Sequence, residues 1–302
     1  MHLGNLFAAL LAWLDVRRLG GEMLLRMEDL DPERCKPAYT AQLAEDLRWL
    51  GLDWDLGWEK SPGVFCQSQR TAQYTAAFRT LEKKGLLYPC YCSRKELLSA
   101  SAPHGEDGSR LYRGRCRSLS AHERQTLEAA GRKPAIRVRV PEERVSFLDD
   151  NFGPQTSVLA QDCGDFILRR SDGVYAYQLA VTADDGAMGV TRVVRGWDLL
   201  SSTARQLWLR KQLGYETVPT YCHAPLLCSA DGRRLSKRDR DLDVGYLRAH
   251  TTPEAVVGVL ACTAGLLERY EPVQPRELIR DFSWEKVGRD NRPVKGLEAL
   301  GL

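Results

Sequence analysis

Two short clusters at opposite ends of the chain hold groups suited to handling phosphate. His2-Leu3-Gly4-Asn5 stands where a helix begins, a place whose free N–H groups and dipole attract anions and whose glycine admits close approach to the backbone. Arg234-Leu235-Ser236-Lys237-Arg238 follows a strand and the turn Asp231-Gly232, and is a basic loop able to bring a lysine ammonium to a transferring phosphoryl group. In isolation each is better read plainly, as a histidine near a helix start and as a solvated charge run. Glu28 closes the apolar run Met23-Leu24-Leu25-Arg26-Met27, which reads as a short buried strand. A carboxylate there needs a nearby arginine or a ligand's cationic group. Cys90, Cys92 and Cys116 have the spacing of metal thiolates, and a tetrahedral structural site asks for a fourth ligand. On chemistry alone the local candidates are His104 and His122.

These groups need elements to position them. Leu6, Leu10, Trp13, Leu14 and Arg17 recur at helical spacing ahead of Gly20-Gly21, so a helix starts almost at the first residue. Asp31-Pro32 reads as the cap and first turn of a second helix, and a third is expected over residues 71–84. Residues 89–130 change character, with close cysteines, a polar stretch over 99–110 and the capping box Ser120-Ala121-His122-Glu123. Alternation at Ile136, Val138 and Val140 continues this inserted module as antiparallel strands. Residues 174–182 and 190–195 read as buried strands, 202–213 as a helix, 222–227 as a last strand and 253–267 as a helical tail. The plan is α/β: residues 1–88 and 166–245 form the halves of one lobe, 89–165 the insertion, and 246–302 a short helical C-terminal region. A doubly wound lobe opens with a central strand ahead of its ligand-binding turn, yet this chain opens at that turn. The first strand is therefore expected ahead of Met1, and residues restored there are expected to raise stability and activity.

Composition narrows the class further. With 302 residues, 43% hydrophobic and 27% charged, the chain is an ordinary globular protein, and disordered, collagen-like and coiled-coil readings are excluded. A net charge of +3 permits a polyanionic partner without requiring one. No apolar run approaches the roughly 18 residues that span a bilayer, and residues 6–14 lack a basic leader and a small-residue cleavage site. A cytoplasmic monomer without membrane contact is expected. Nine cysteines, an odd number, point to reduced thiols or a metal site instead of a disulfide framework.

In this order on an α/β lobe, the two phosphate-handling clusters resemble the HIGH and KMSKS signatures of class I aminoacyl-tRNA synthetases. Arg26-Met27-Glu28-Asp29-Leu30-Asp31, Asp165-Phe166-Ile167-Leu168-Arg169-Arg170-Ser171-Asp172-Gly173, Tyr177-Gln178-Leu179-Ala180, Asp184-Asp185 and Val194-Arg195-Gly196 resemble the glutamyl-specific branch, over residues 1–245. Within that branch, Arg195-Gly196-Trp197-Asp198-Leu199-Leu200-Ser201-Ser202-Thr203-Ala204-Arg205-Gln206 is similar to the short paralogue that glutamylates the queuosine base of tRNA(Asp). Residues 238–302 are also too few for the helical anticodon-binding region of the full enzyme.

The resemblance implies a Rossmann-type catalytic domain that forms glutamyl-adenylate from L-glutamate and ATP with Mg²⁺, then passes the glutamyl group to queuosine-bearing tRNA(Asp). It implies His2, Asn5 and Lys237 as catalytic groups, with His2, Gly4, Asn5, Leu235, Ser236 and Lys237 around ATP. Glu28, Tyr177 and Arg195 would receive glutamate, the guanidinium being suited to a bidentate grip on a carboxylate. One structural Zn²⁺ would be held by Cys90, Cys92, Tyr112 and Cys116. In that branch the segment just upstream of His2 also supplies an arginine and a serine to the glutamate site. The competing expectations are a truncated glutamyl-tRNA synthetase charging tRNA(Glu), a glutamine-activating relative, and a non-catalytic RNA-binding paralogue.

Overall fold

The computed structural model describes residues 1–31, 33, 35–59, 61–93, 96, 111, 112, 114–229 and 243–296. The leucine stripe of the N-terminal segment forms helix α1 (Leu3–Arg18), on which Leu3, Leu6, Leu10 and Leu14 are fully buried. Strand β1 (Leu24–Leu25) follows and pairs in parallel with β2 (Leu56–Gly57), across helix α2 (Pro37–Trp49). That helix starts later than Asp31-Pro32 suggests. Lys36 takes the extended cap position and Pro37 the first turn, where its fixed φ and missing N–H cost nothing. Asp31 instead accepts from the Arg170 guanidinium at 2.9 Å, and Pro32 lies outside the described residues.

Helices α3 (Pro62–Phe65) and α4 (Thr71–Lys83) lead to β3 (Leu87–Cys90). Beyond the cysteine-rich segment come α5 (Ala121–Ala129), opened by the Ser120–Glu123 capping box, and the strands β4 (Ala135–Val138), β5 (Arg144–Asp149), β6 (Gly153–Val158) and β7 (Phe166–Arg169). β3, β4 and β7 form one antiparallel sheet. The β5–β6 hairpin joins a different one, in the order β6-β5-β9-β8, in which β8 (Arg192–Gly196) and β9 (Thr220–Ala224) run parallel. Among the described residues no strand joins this sheet to β1–β2.

Residues 177–187 form helix α6 (Tyr177–Ala187), where sequence pattern suggests a strand. Every residue from Leu179 to Asp185 is buried, and an unbroken buried run does not separate helix from strand by periodicity. Helix α7 (Leu200–Leu213) connects β8 to β9, and the expected last strand is divided at Pro225 into β9 and β10 (Leu227–Cys228). The C-terminal region contributes α8 (Val244–His250), α9 (Pro253–Ala264), α10 (Pro275–Leu278), α11 (Trp284–Val287) and β11 (Arg292–Pro293). No described helix is long and apolar enough to cross a membrane.

Two main cores result. One joins α1 to the C-terminal region through Leu10, Leu14, Val256, Leu260, Phe282 and Val287. The other joins α4, α6 and α7 to β4 and β7 through Phe78, Leu81, Leu168, Leu179 and Trp208. A buried carboxylate stitches the second together: Asp184, with no exposed side-chain surface, accepts from Arg70 Nε at 2.7 Å, Gln67 Nε2 at 2.9 Å and the Tyr74 hydroxyl at 2.9 Å.

Asp184→Ala would leave the Arg70 charge buried without compensation, and is expected to cost about 3–5 kcal/mol in urea unfolding. Asp172→Ala, which breaks a pair whose side chains are 42% and 47% exposed, should cost no more than about 1 kcal/mol in the same assay.

Candidate active site

Two of the expected residues, Glu28 and Arg195, lie toward the carboxyl ends of parallel strands, where open α/β sheets bind ligands. Glu28 follows β1, Arg195 lies near the end of β8, and Tyr177 is the first residue of α6. At the start of α1, Asn5 and His2 form a reciprocal capping box. The Gly4 amide donates to His2 Nδ1 and the His2 amide to Asn5 Oδ1, each at 3.1 Å. Gly4 has a local reason to be glycine, since a Cβ there would stand 3.1 Å from the His2 ring. With Nδ1 committed as acceptor, the neutral ring carries its proton on Nε2.

His2 also bridges Asp243, and the Val244 amide donates to Met1 O at 3.2 Å. Asp243 and Val244 therefore lie beside the α1 start; Leu235, Ser236 and Lys237 precede them in the chain. Those three residues lie outside the described ones.

Glu28 is not buried, as its apolar neighbours suggest; its side chain is 42% exposed and accepts from Arg26 at 3.1 Å. Arg26 in turn donates to Asp185 at 2.7 Å, tying the β1 end to α6. Tyr177 lies within reach of both charges. Burial, followed by Glu28 and Asp185, pushes its hydroxyl above the ordinary tyrosine value against the pull of Arg195, so it remains a donor.

The Arg195 guanidinium is held from several sides. It donates to His223 Nε2 at 3.0 Å, Gln206 Oε1 at 2.8 Å, Thr203 Oγ1 at 2.8 Å and Leu199 O at 3.2 Å. These bonds use four of its five N–H groups. What it offers a ligand is its charge and one N–H on the Gln206 side, in place of the two-pronged grip expected from the sequence. Gln206, Thr203 and His223 were not singled out by spacing. The signal for His223 was a polar ring inside Tyr221-Cys222-His223-Ala224, a strand otherwise apolar enough to demand a partner for it.

The cysteine cluster also assembles. Cys90, Cys92 and Cys116 place their sulfurs within 4.8 Å of one another, and Cys92 and Cys116 are 3.5 Å apart. Separations of this order suit thiolates about 2.3 Å from one tetrahedral ion. The Tyr112 hydroxyl lies 3.9 Å from Cys92 Sγ and accepts from the Cys116 amide at 2.8 Å. Burial alone would raise the Cys90 thiol, but the Tyr112 hydroxyl and Arg137 outweigh it and hold it below the usual range. Cys92, by burial and the neighbouring Cys90, is pushed up to about 12. A cation would relieve that conflict. His122 is not part of the cluster, and His104 lies outside the described residues.

Asp165 anchors the module, its buried carboxylate accepting from Tyr88, Arg117 and the Val140 amide. Gly164, at φ +61°, lets the chain pass Tyr112, whose carbonyl oxygen would sit 2.8 Å from a Cβ. All nine cysteines are free.

The capping geometry predicts that His2→Ala will cost about 1 kcal/mol in urea unfolding, while His2→Asn, which restores a cap acceptor, stays within about 0.5 kcal/mol of the parent.

Comparison with known proteins identifies the family. Residues 1–289 match the family model described as tRNA synthetases class I (E and Q), catalytic domain. Glutamyl-Q tRNA(Asp) synthetase of Symbiobacterium thermophilum is 48% identical over 301 residues, which are 98% of this chain and 92% of that protein. The protein of the same name from Nitratidesulfovibrio vulgaris is 48% identical over 92% of this chain and 87% of its own. A solved glutamate tRNA ligase from Elizabethkingia meningosepticum, in complex with its amino acid, superposes with a TM-score of 0.79 at 25% identity. The match covers 99% of this chain but 65% of that one, so the chain spans about two thirds of the ligase. Residues 1–289, which include Glu28, Tyr177 and Arg195, thus form a class I synthetase domain, and the chain belongs to the glutamate and glutamine class I tRNA synthetase family, with the glutamyl-Q tRNA(Asp) synthetases as its near relatives.

Proposed function

We propose that this enzyme is an ATP-dependent ligase that activates L-glutamate and transfers it to the queuosine base in the anticodon loop of tRNA(Asp). The observation that carries this reading is the 48% identity to glutamyl-Q tRNA(Asp) synthetase along 98% of the chain. The site geometry supports it, because Glu28 and Arg195 set an anion and a cation within electrostatic reach of the neutral donor Tyr177. An α-amino acid with an acidic side chain presents the complementary charges.

In this reading the glutamate carboxylate attacks the α-phosphorus of ATP, forming an acyl-phosphate bond as pyrophosphate leaves. His2, Gly4 and Asn5 present the α1 start to the phosphates, Leu235 and Ser236 line the nucleotide, and Lys237 neutralises charge on the transferring group. Mg²⁺ accompanies ATP. A hydroxyl of the queuosine cyclopentenediol then attacks the activated carbonyl, forming an ester and releasing AMP. No protein group forms a covalent intermediate, and the rate enhancement comes from placement and charge. Glu28 takes the substrate ammonium and Arg195 a carboxylate. Zn²⁺ would be held by Cys90, Cys92, Cys116 and Tyr112, with a structural role in stapling the inserted module. Free thiols throughout suit a cytoplasmic setting.

Radiolabelled glutamate, ATP and Mg²⁺ supplied with tRNA pools containing or lacking queuosine should label only the former, and nuclease mapping should place the label in the anticodon-loop fragment of tRNA(Asp). Label at the acceptor end would make the enzyme a tRNA(Glu)-charging synthetase, and no label at all would favour a non-catalytic RNA-binding protein. Elemental analysis should find about one zinc per chain, lost together with thermal stability in Cys116→Ser; a stable, metal-free parent protein would refute the zinc assignment.

A further inference from the structure

Arg195 does not choose its own direction. In the register of the parallel pair it lies opposite His223, and on the other side of that strand Asp149 of β5 is level with Tyr221. Three side chains from three adjacent strands thus form one line across the sheet: Arg195 Nε donates to His223 Nε2 at 3.0 Å, and His223 Nδ1 meets Asp149 Oδ2 at 2.6 Å. His223 and Asp149 have no exposed side-chain surface. The remaining capacity of Asp149 is filled by backbone amides, from Phe152 at 2.8 Å, Asn151 at 3.1 Å and His223 at 3.3 Å.

The chemistry admits one arrangement of protons. A guanidinium can only donate, so Nε2 must accept and the ring must carry its proton on Nδ1, pointing at Asp149. Burial, reinforced by Arg195, keeps His223 below the ordinary imidazole value against the pull of Asp149, so the ring is neutral. Asp149 stays ionised although burial opposes it, because His223 and the Phe152 amide hold it below the usual carboxylate range. An imidazolium at this place would press an N–H against the N–H of Arg195.

We propose that His223 and Asp149 are positioning residues for glutamate: Asp149 fixes the tautomer of His223, and His223 fixes the direction in which Arg195 presents its charge and its remaining N–H. This deepens the reading of Arg195 as a glutamate-binding residue and rests on it. Neither His223 nor Asp149 touches substrate. Their effect is on affinity for the amino acid, and ATP binding is independent of them.

The test uses glutamate-dependent ATP–pyrophosphate exchange together with ¹⁵N NMR of the imidazoles, of which the chain has five. In the parent protein His223 should show the neutral Nδ1–H tautomer; an Nε2–H or a doubly protonated ring would overturn the proposal without any variant. His223→Leu and Asp149→Asn should raise KM for glutamate about 10- to 100-fold, the scale of one charged hydrogen bond, with KM for ATP within about twofold. His223→Gln, which keeps an acceptor for Arg195, should bring the glutamate KM back to within about threefold of the parent. An equal rise in both KM values, or no rise in either, overturns the proposal. Arg195→Ala separates the two levels. If it leaves the glutamate KM unchanged, the glutamate-site reading itself fails; if it raises that KM while His223→Leu and Asp149→Asn do not, only the positioning role fails.

Discussion

The site depends on buried charge that is paired with opposite charge. Arg26, Asp184, Asp185 and Arg70 form a chain of ion pairs running from the end of β1 through α6 to the segment leading into α4. Taking such groups out of water is costly, and the cost is met only where every partner is in place. The network therefore admits one relative placement of the elements that carry Glu28 and Tyr177. Hydrophobic packing of α4, α6 and α7 brings these elements together without specifying angles, because apolar contact is non-directional. The carboxylates supply the direction. The Asp165 cluster repeats the device for the inserted module, where one buried carboxylate receives donors from three separated stretches of chain.

Much of this could be read from the sequence, and the failures share a cause. The leucine stripe of α1, the helix over residues 71–83 and the Ser120 capping box were legible because their signals are local: a repeat, a glycine stop, a reciprocal pair three residues apart. The grouping of Cys90 and Cys92 with Cys116 was legible from spacing and cysteine chemistry. The later start of α2, the helical state of 177–187 and the exposure of Glu28 were not. Each was decided by a partner far along the chain: Arg170 drew Asp31 away from a cap, the second core packed around Leu179, Ala180 and Ala183 of α6, and Arg26 turned to Asp185. The Asp149, His223 and Arg195 line was invisible for the same reason, since its members come from three strands and meet only through sheet register.

Two of the helix-start residues that look most like ligand groups also have conformational duties. His2 and Asn5 cap α1, and Gly4 makes room for the His2 ring. The His2 and Gly4 amides, which the sequence leaves free at this turn, are thus taken up by the side chains of Asn5 and His2. Loss of activity in a His2 variant carries both effects, and stability must be read beside it.

The shared core of α1 and the C-terminal region has a consequence for how the protein is made. Leu10 and Leu14 leave the ribosome long before Val256, Leu260 and Phe282, against which that cluster closes. At ordinary elongation rates the leucine stripe waits on the order of tens of seconds for its cover. Until then residues 3–18 expose a largely apolar surface, a natural substrate for chaperones. Closing the core also draws together residues that are very far apart in sequence, which slows the search. The stretch beginning at Pro253 is thus the cover that ends the vulnerability of α1, and a ribosome stalled before it would leave a sticky, unfinished lobe.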